Sequence, residues 1–208
     1  MGSSEGLVGH WEFKEKSGLV ANDSSRYKNT GTLSGATVPD WKERGLYFNG
    51  STSYVDCGNG ASLNITNQIT CLCWLNLFVE PISFSRIIEK FSTNGWVLLY
   101  NNAAPRKVYM SFARGGAGIG DTNLFPISTP FNTWTHVAIT WNGSSAISYR
   151  NSVFLGSSIV IGPITVSGTN QLISIGKNRQ MDDIKIYNRA LSASEISDYY
   201  ESTKHLYL

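Results

Sequence analysis

The stretch NTWTHVAITWNG, residues 132–143, places Trp134, His136 and Trp141 within a few residues of one another. An imidazole beside aromatic rings could act as a general base, a metal ligand or a hydrogen bonder to a ligand. On a strand, Thr135, Val137, Ile139 and Trp141 share one face, and Trp134, His136, Ala138 and Thr140 the other. Val137 and Ile139 therefore point to a core. Trp134 and His136 lie either under a second layer or in a groove. The structural role is the expected one, because buried polar groups are ordinarily hydrogen-bonded parts of a scaffold.

Other reactive side chains are scattered. Histidines stand only at 10, 136 and 205, and no Gly-x-Ser-x-Gly elbow accompanies them, which argues against a metal centre and a Ser-His-Asp hydrolase. The stretch ARGGAGIGDTN, residues 113–123, is glycine-rich. It joins a strand to a polar loop rather than opening a helix, so it matches no phosphate-binding fingerprint. As a loop it leaves Arg114 and Asp121 as candidate ligand contacts. Trp41, Trp96 and Tyr100 could offer flat faces to sugar rings, or belong to the core, since aromatics dominate packing in sandwiches. Cys57, Cys71 and Cys73 are odd in number and read as buried free thiols.

The elements that must position these groups are strands. Twenty glycines and short apolar runs at regular spacing describe an antiparallel sandwich. Strands are expected near 7–13, 45–49, 53–57, 69–79, 85–91, 95–100, 106–113, 133–141, 145–150, 152–155, 171–177 and 182–187. QITCLCWLNLFVE is apolar on both faces, so its strand should be central and covered twice. Asn142-Gly143 marks a hairpin. Ser192 followed by Glu195 is a capping box for one late helix whose apolar stripe is Ile196, Tyr199 and Tyr200. At 208 residues, with no linker or repeat, the chain is expected to form one domain, 1–208.

Seventeen Lys and Arg against fifteen Asp and Glu give a net charge of +2, with no run of like charge. Nucleic acid and anionic membranes are therefore poor partners. No apolar stretch approaches the roughly 20 residues of a membrane span, and the first residues lack the pattern of a leader. A soluble chain without an export signal is expected.

Three segments together resemble the laminin-G-like, concanavalin A-like jelly-roll family, which includes the pentraxins. They are GLVGHWEFKEKSGLVANDSSRYKNTGTLSG with GLYFNGSTSYVDCGN, then NTWTHVAITWNGSSAISYRNSVFLGSS, then MDDIKIYNRALSASEISDYY. The resemblance implies an all-β, antiparallel two-sheet jelly-roll sandwich with one short C-terminal helix. In it the WTHVAITW strand is internal and its aromatics mostly pack. The resemblance also implies a structural calcium ion, held by Asp23, Asn29 and Asp182. Alternation lets only one of Asp182 and Asp183 join Asp23; the alternative is that Asp23 only caps a turn. Arg26, Lys28 and Asn49 depart from the family pattern around this site. Hydrolytic jelly rolls carry Glu-x-Asp-x-x-Glu, whereas Glu80 and Glu89 here are nine apart across a turn. The expected function is non-catalytic recognition or adhesion, as a glycan-binding protein on a virion surface that decorates a capsid or tail. Its partners would be a glycan or protein surface, virion proteins or further copies of the chain. The alternatives are a carbohydrate-binding module of a larger secreted enzyme or adhesin and, after that, a glycoside hydrolase.

Overall fold

The computed structural model describes residues 4–49, 52–80, 85–92, 94–101, 107–113, 121–122, 127–160, 162–165, 168–175 and 178–208. Its strands are β1 (Leu7–Trp11), β2 (Val20–Ala21), β3 (Gly31–Ser34), β4 (Asp40–Trp41), β5 (Leu46–Phe48), β6 (Tyr54–Asp56), β7 (Ile69–Leu77), β8 (Ser85–Phe91), β9 (Gly95–Asn101), β10 (Lys107–Ala113), β11 (Asp121–Thr122), β12 (Thr135–Trp141), β13 (Ser145–Arg150), β14 (Val153–Ile159), β15 (Leu172–Ile175) and β16 (Arg179–Tyr187). Helix α1 (Ala193–Thr203) follows. Single 3-10 turns lie at Ala61–Leu63 and Lys204–Leu206.

Two antiparallel sheets form the sandwich. One runs β14-β13-β12-β7-β16-β5-β4, with β1 also paired to β16; the other runs β11-β10-β9-β8-β15-β6-β3-β2. Every residue of β7 is buried, because this strand is covered on both faces. Inward, Cys71, Cys73, Leu75 and Leu77 meet the core between the sheets with Val137, Ile139 and Trp141. Outward, Leu72 and Ala138 pack beneath Leu191, Ile196 and Tyr199. Each fully buried aliphatic side chain contributes ~1.5–3 kcal/mol, so the double cover of β7 and β12 makes them the stable centre of the sandwich.

Helix α1 closes the outer layer as its sequence requires. Ser192 Oγ accepts from Glu195 N, and the Glu195 carboxylate accepts from Ser192 N. Arg189 grips the same carboxylate at 2.5 and 3.0 Å. The three thiols are buried and unpaired, and burial pushes each of them up, away from the reactive thiolate.

Several boundaries differ from expectation. β1 ends at Trp11 because Phe13 (φ 49°) and Lys16 (φ 65°) turn the chain away. β14 runs on to Ile159. β2, β3, β4 and β11, of two to four residues each, are too short for periodicity to reveal.

Candidate functional site

Among the described residues, a concavity rich in charged side chains lies where β16 breaks its register. Opposite β7, Asp182 pairs with Trp74 and Lys185 with Leu72, so two residues of β16 face one of β7. Asp183 takes up the excess in the left-handed region, φ 47°, as a β-bulge does. Strict alternation is lost. Asp182 and Asp183 therefore line the same cleft, of about 260 Å³, rather than opposite faces.

Three other elements complete its walls. The turn after β1 supplies Glu12, Phe13, Lys14 and Lys16, and the β4–β5 hairpin supplies Glu43, Arg44 and Gly45. Gly45 is required there: its φ is 62°, and a Cβ would stand 2.0 Å from Met181 O. The C-terminal segment supplies Leu206 and Tyr207. The Tyr207 ring stacks on Trp74 at 4.1 Å, and the Arg44 guanidinium lies 5.5 Å over it.

The electrostatics follow from burial. Asp182, 9% exposed, accepts from Tyr207 Oη at 2.8 Å and from Asp183 N at 2.9 Å. Burial pushes its carboxyl up to about 7, aided by the charge of Asp183 and opposed by the Tyr207 hydrogen bond. Burial pushes Asp183 up as well. Its hydrogen bond to His10 and the charge of Lys185 outweigh burial and hold it below the usual carboxylate value. Lys14 is paired with Glu12 at 2.7 Å. Among the described residues, Arg44 has no carboxylate partner.

His10 links this cleft to the loop after β2. Its Nε2 lies 2.6 Å from Asp183 Oδ1 and its Nδ1 2.8 Å from the Oγ of exposed Ser24. This is a Ser-His-Asp chain that a search for a sequence elbow does not find, since its members lie on three separate segments. A serine nucleophile also needs N–H donors for the developing oxyanion. The adjacent ones are engaged: Ser24 N donates to His10 O and Ser25 N to Asp23 Oδ1, each at 2.8 Å. The chain therefore ties the loop to β1 and β16.

The calcium set is not assembled. Asp23 is 2% exposed, and its two oxygens accept from four donors: His10 N, Ser25 N, Ser25 Oγ and Asn29 N. Asn29 gives its side-chain amide N–H groups to Val8 O and Ser62 Oγ, and its main-chain carbonyl accepts from the Trp11 indole. A cation at Asp23 would strand these donors, so the residues present do not fit the ion. Asp182 faces the cleft with Tyr207 instead. Among the described residues no group of three or more His, Cys, Asp and Glu is placed to hold a metal. Asp23 serves as the anchor of its turn.

The aromatic candidates divide. Trp96 is 1% and Tyr100 2% exposed, which corrects their expected role as stacking faces: both are core. Trp41 is half-buried, donates to Gly18 O at 2.8 Å and meets Phe13 edge-on at 6.3 Å, behind the cleft wall. Arg114 lies outside the described residues. Asp121 opens β11 opposite Phe112, and its side chain lies outside them as well. His136 is fully buried among the rings of Trp74, Tyr199 and Tyr200. It belongs to the spine of the sheet, under the second layer, and Trp141 lies fully buried on the core side.

The fold defines an antiparallel jelly-roll sandwich, and the comparisons place it more closely. Residues 49–197 match the Laminin_G_3 model of the concanavalin A-like lectin/glucanases superfamily; the chain belongs to that family. No curated protein sequence matches it. Among solved structures, the receptor binding domain of the botulinum neurotoxin C/D mosaic serotype superposes with a TM-score of 0.77 at 14% identity, over 96% of this chain and 52% of that one. A structure of botulinum neurotoxin type C, whose cell entry depends on two ganglioside molecules, gives 0.75 at 14% identity over 96% and 51%. Trypanosoma rangeli sialidase in complex with sialic acid gives 0.68 at 18% identity over 96% and 33%. The chain thus spans about half the length of the toxin domains and a third of the sialidase. Among the described residues no helix is long and apolar enough to cross a membrane.

Proposed function

We propose that the chain is a non-catalytic glycan-recognition module that takes a saccharide in the cleft at the β16 bulge. The observation that carries this reading is the convergence of Asp182, Asp183 and Arg44 on one concavity of about 260 Å³ beside Tyr207. That volume is below the about 300–1,000 Å³ of drug-sized pockets and suits a ligand on the scale of a sugar ring. Carboxylates accept from sugar hydroxyls, and a guanidinium without a carboxylate partner donates in a fixed fork. Membership of a lectin/glucanase superfamily and likeness to proteins named for ganglioside and sialic acid binding support it. Titration against a glycan panel tests it. Arg44→Ala should weaken binding about 10–100-fold, the range of a lost charge-assisted hydrogen bond, and Asp182→Asn about fivefold, the range of a neutral one, without change of fold. Unaltered affinity in both variants would place the site elsewhere.

The buried free thiols support assembly in a reducing compartment. They favour a virion surface protein, decorating a capsid or tail, over a module of a larger secreted enzyme or adhesin. A glycoside hydrolase is the second reading, favoured by one observation: a carboxyl raised to about 7 in a cleft is the pattern of a general acid. Turnover of any oligosaccharide that Asp182→Asn abolishes would establish it.

A further inference from the structure

A second concavity of about 230 Å³ shares no lining residue with the cleft. Ser62, Asn64, Thr66, Asn67, Gln68 and Asn188 surround it, and no lining residue carries a charge. Two segments meet there: the stretch from the 3-10 turn Ala61–Leu63 to the start of β7, and the residue after β16.

The frame of this groove is fixed from within. Leu63 N donates to Gly60 O, Asn64 N to Ala61 O, Ile65 N to Leu63 O and Asn188 N to Gly6 O, while Ile164 N donates to Thr66 O. Leu63 and Ile65 anchor it in the core. Ser62 is held by Asn29, and Gln68 Oε1 accepts from Ala190 N. With the main chain so engaged, the side-chain amides of Asn64, Asn67 and Asn188 have no hydrogen-bond partner among the described residues.

Each such amide offers two donors and an acceptor with two lone pairs. Three of them on a rigid, uncharged rim present alternating donors and acceptors without an electrostatic preference. A sugar hydroxyl, which both donates and accepts, is the complementary group. Anions and cations find no counter-charge there. We propose that this groove is a binding site for a neutral saccharide, separate from the charged cleft. It has no aromatic platform and is open to solvent, so single sugars should bind with dissociation constants of about 1–10 mM.

The test uses the full chain, isotopically labelled, titrated with neutral galactose, N-acetylglucosamine and lactose to about 50 mM, well past the expected dissociation constants. At least one sugar should saturably shift the side-chain NH2 resonances of Asn64, Asn67 and Asn188 together. Asn67→Leu and Asn188→Leu, both at exposed positions, should each weaken that binding about fivefold, the size of one lost neutral hydrogen bond. Arg44→Ala should leave it unchanged, so loss of the cleft reading would not mimic failure here. Linear, unsaturated shifts, equal shifts with glycerol, or unaltered affinity in both leucine variants would overturn the proposal.

Discussion

Acidification should act on two buried groups of this protein in opposite directions. His136 is fully buried and neither ring nitrogen has a hydrogen-bond partner among the described residues; burial, with Lys185 nearby, lowers it from 6.5 to about 3. With a folded value below the unfolded one, the chain takes up a proton on unfolding throughout that window. The stability tied to neutral His136 is complete above pH 6.5 and is lost as pH falls toward 3, at ~1.4 kcal/mol per pH unit. Asp182 has the reverse sign. Its folded value, about 7, exceeds the unfolded 3.8, so its contribution is present in acid and lost as pH rises through 7. Between pH 6.5 and 4 the two slopes offset each other, and variants should separate them. His136→Leu removes two unpartnered polar atoms at similar volume, which is close to neutral at pH 7 or stabilising by about 1–2 kcal/mol. Relative to wild type it should gain a further ~3.5 kcal/mol between pH 6.5 and 4. Asp182→Asn should lose stability over the same interval. Urea unfolding at half-unit pH steps reads both. Parallel curves for wild type and His136→Leu would refute the claim that a neutral, buried imidazole lies in this layer.

Two further outcomes are expected. Trp141 is fully buried, lies 5.2 Å from Phe112 and donates its indole N–H to Val160 O at 2.7 Å; Trp141→Ala should cost about 3–5 kcal/mol by chemical denaturation, and a cost below ~1 kcal/mol would move this residue out of the core. Because the oxygens of Asp23 are committed to four internal donors, the melting temperature should be the same in excess calcium and in chelator. A rise in calcium that Asp23→Asn abolishes would restore the ion to this loop.

The sandwich was legible in the sequence where its strands are long and two-faced. QITCLCWLNLFVE reads as a doubly covered strand because period-2 alternation puts apolar residues on both sides, and β7 is buried at every position. Ser192 and Glu195 announced α1 through a local reciprocal cap that needs no tertiary context. The two-residue strands β2, β4 and β11 exist only through their pairings, Val20 with Thr32, Asp40 with Tyr47 and Phe112 with Asp121. No periodicity can be read from two residues.

Of the cleft, sequence reasoning offered only Asp182, and as a calcium ligand; Arg44 and Tyr207 went unnamed, and one backbone angle hid much of the geometry. Alternation assigns Asp182 and Asp183 to opposite faces, which is right for any regular strand. The bulge at Asp183 cancels that rule locally, bringing both carboxylates to one cleft and leaving Asp23 to its own turn. Tyr207 could not be foreseen either. It reaches Asp182 only because the segment after α1 folds back, lays its ring on Trp74 and sets its hydroxyl 2.8 Å from the carboxylate. The aromatics that sequence reasoning offered as binding faces, Trp96 and Tyr100, went to the core because large rings contribute most when buried. Polar groups of the cleft gathered where regular pairing fails: a bulge, a tight hairpin at Gly45 and a chain end. Real proteins break local rules at functional positions, and the bulge in β16, one of several register shifts in the two sheets, is the one that opens onto this cleft and so supports the proposed site.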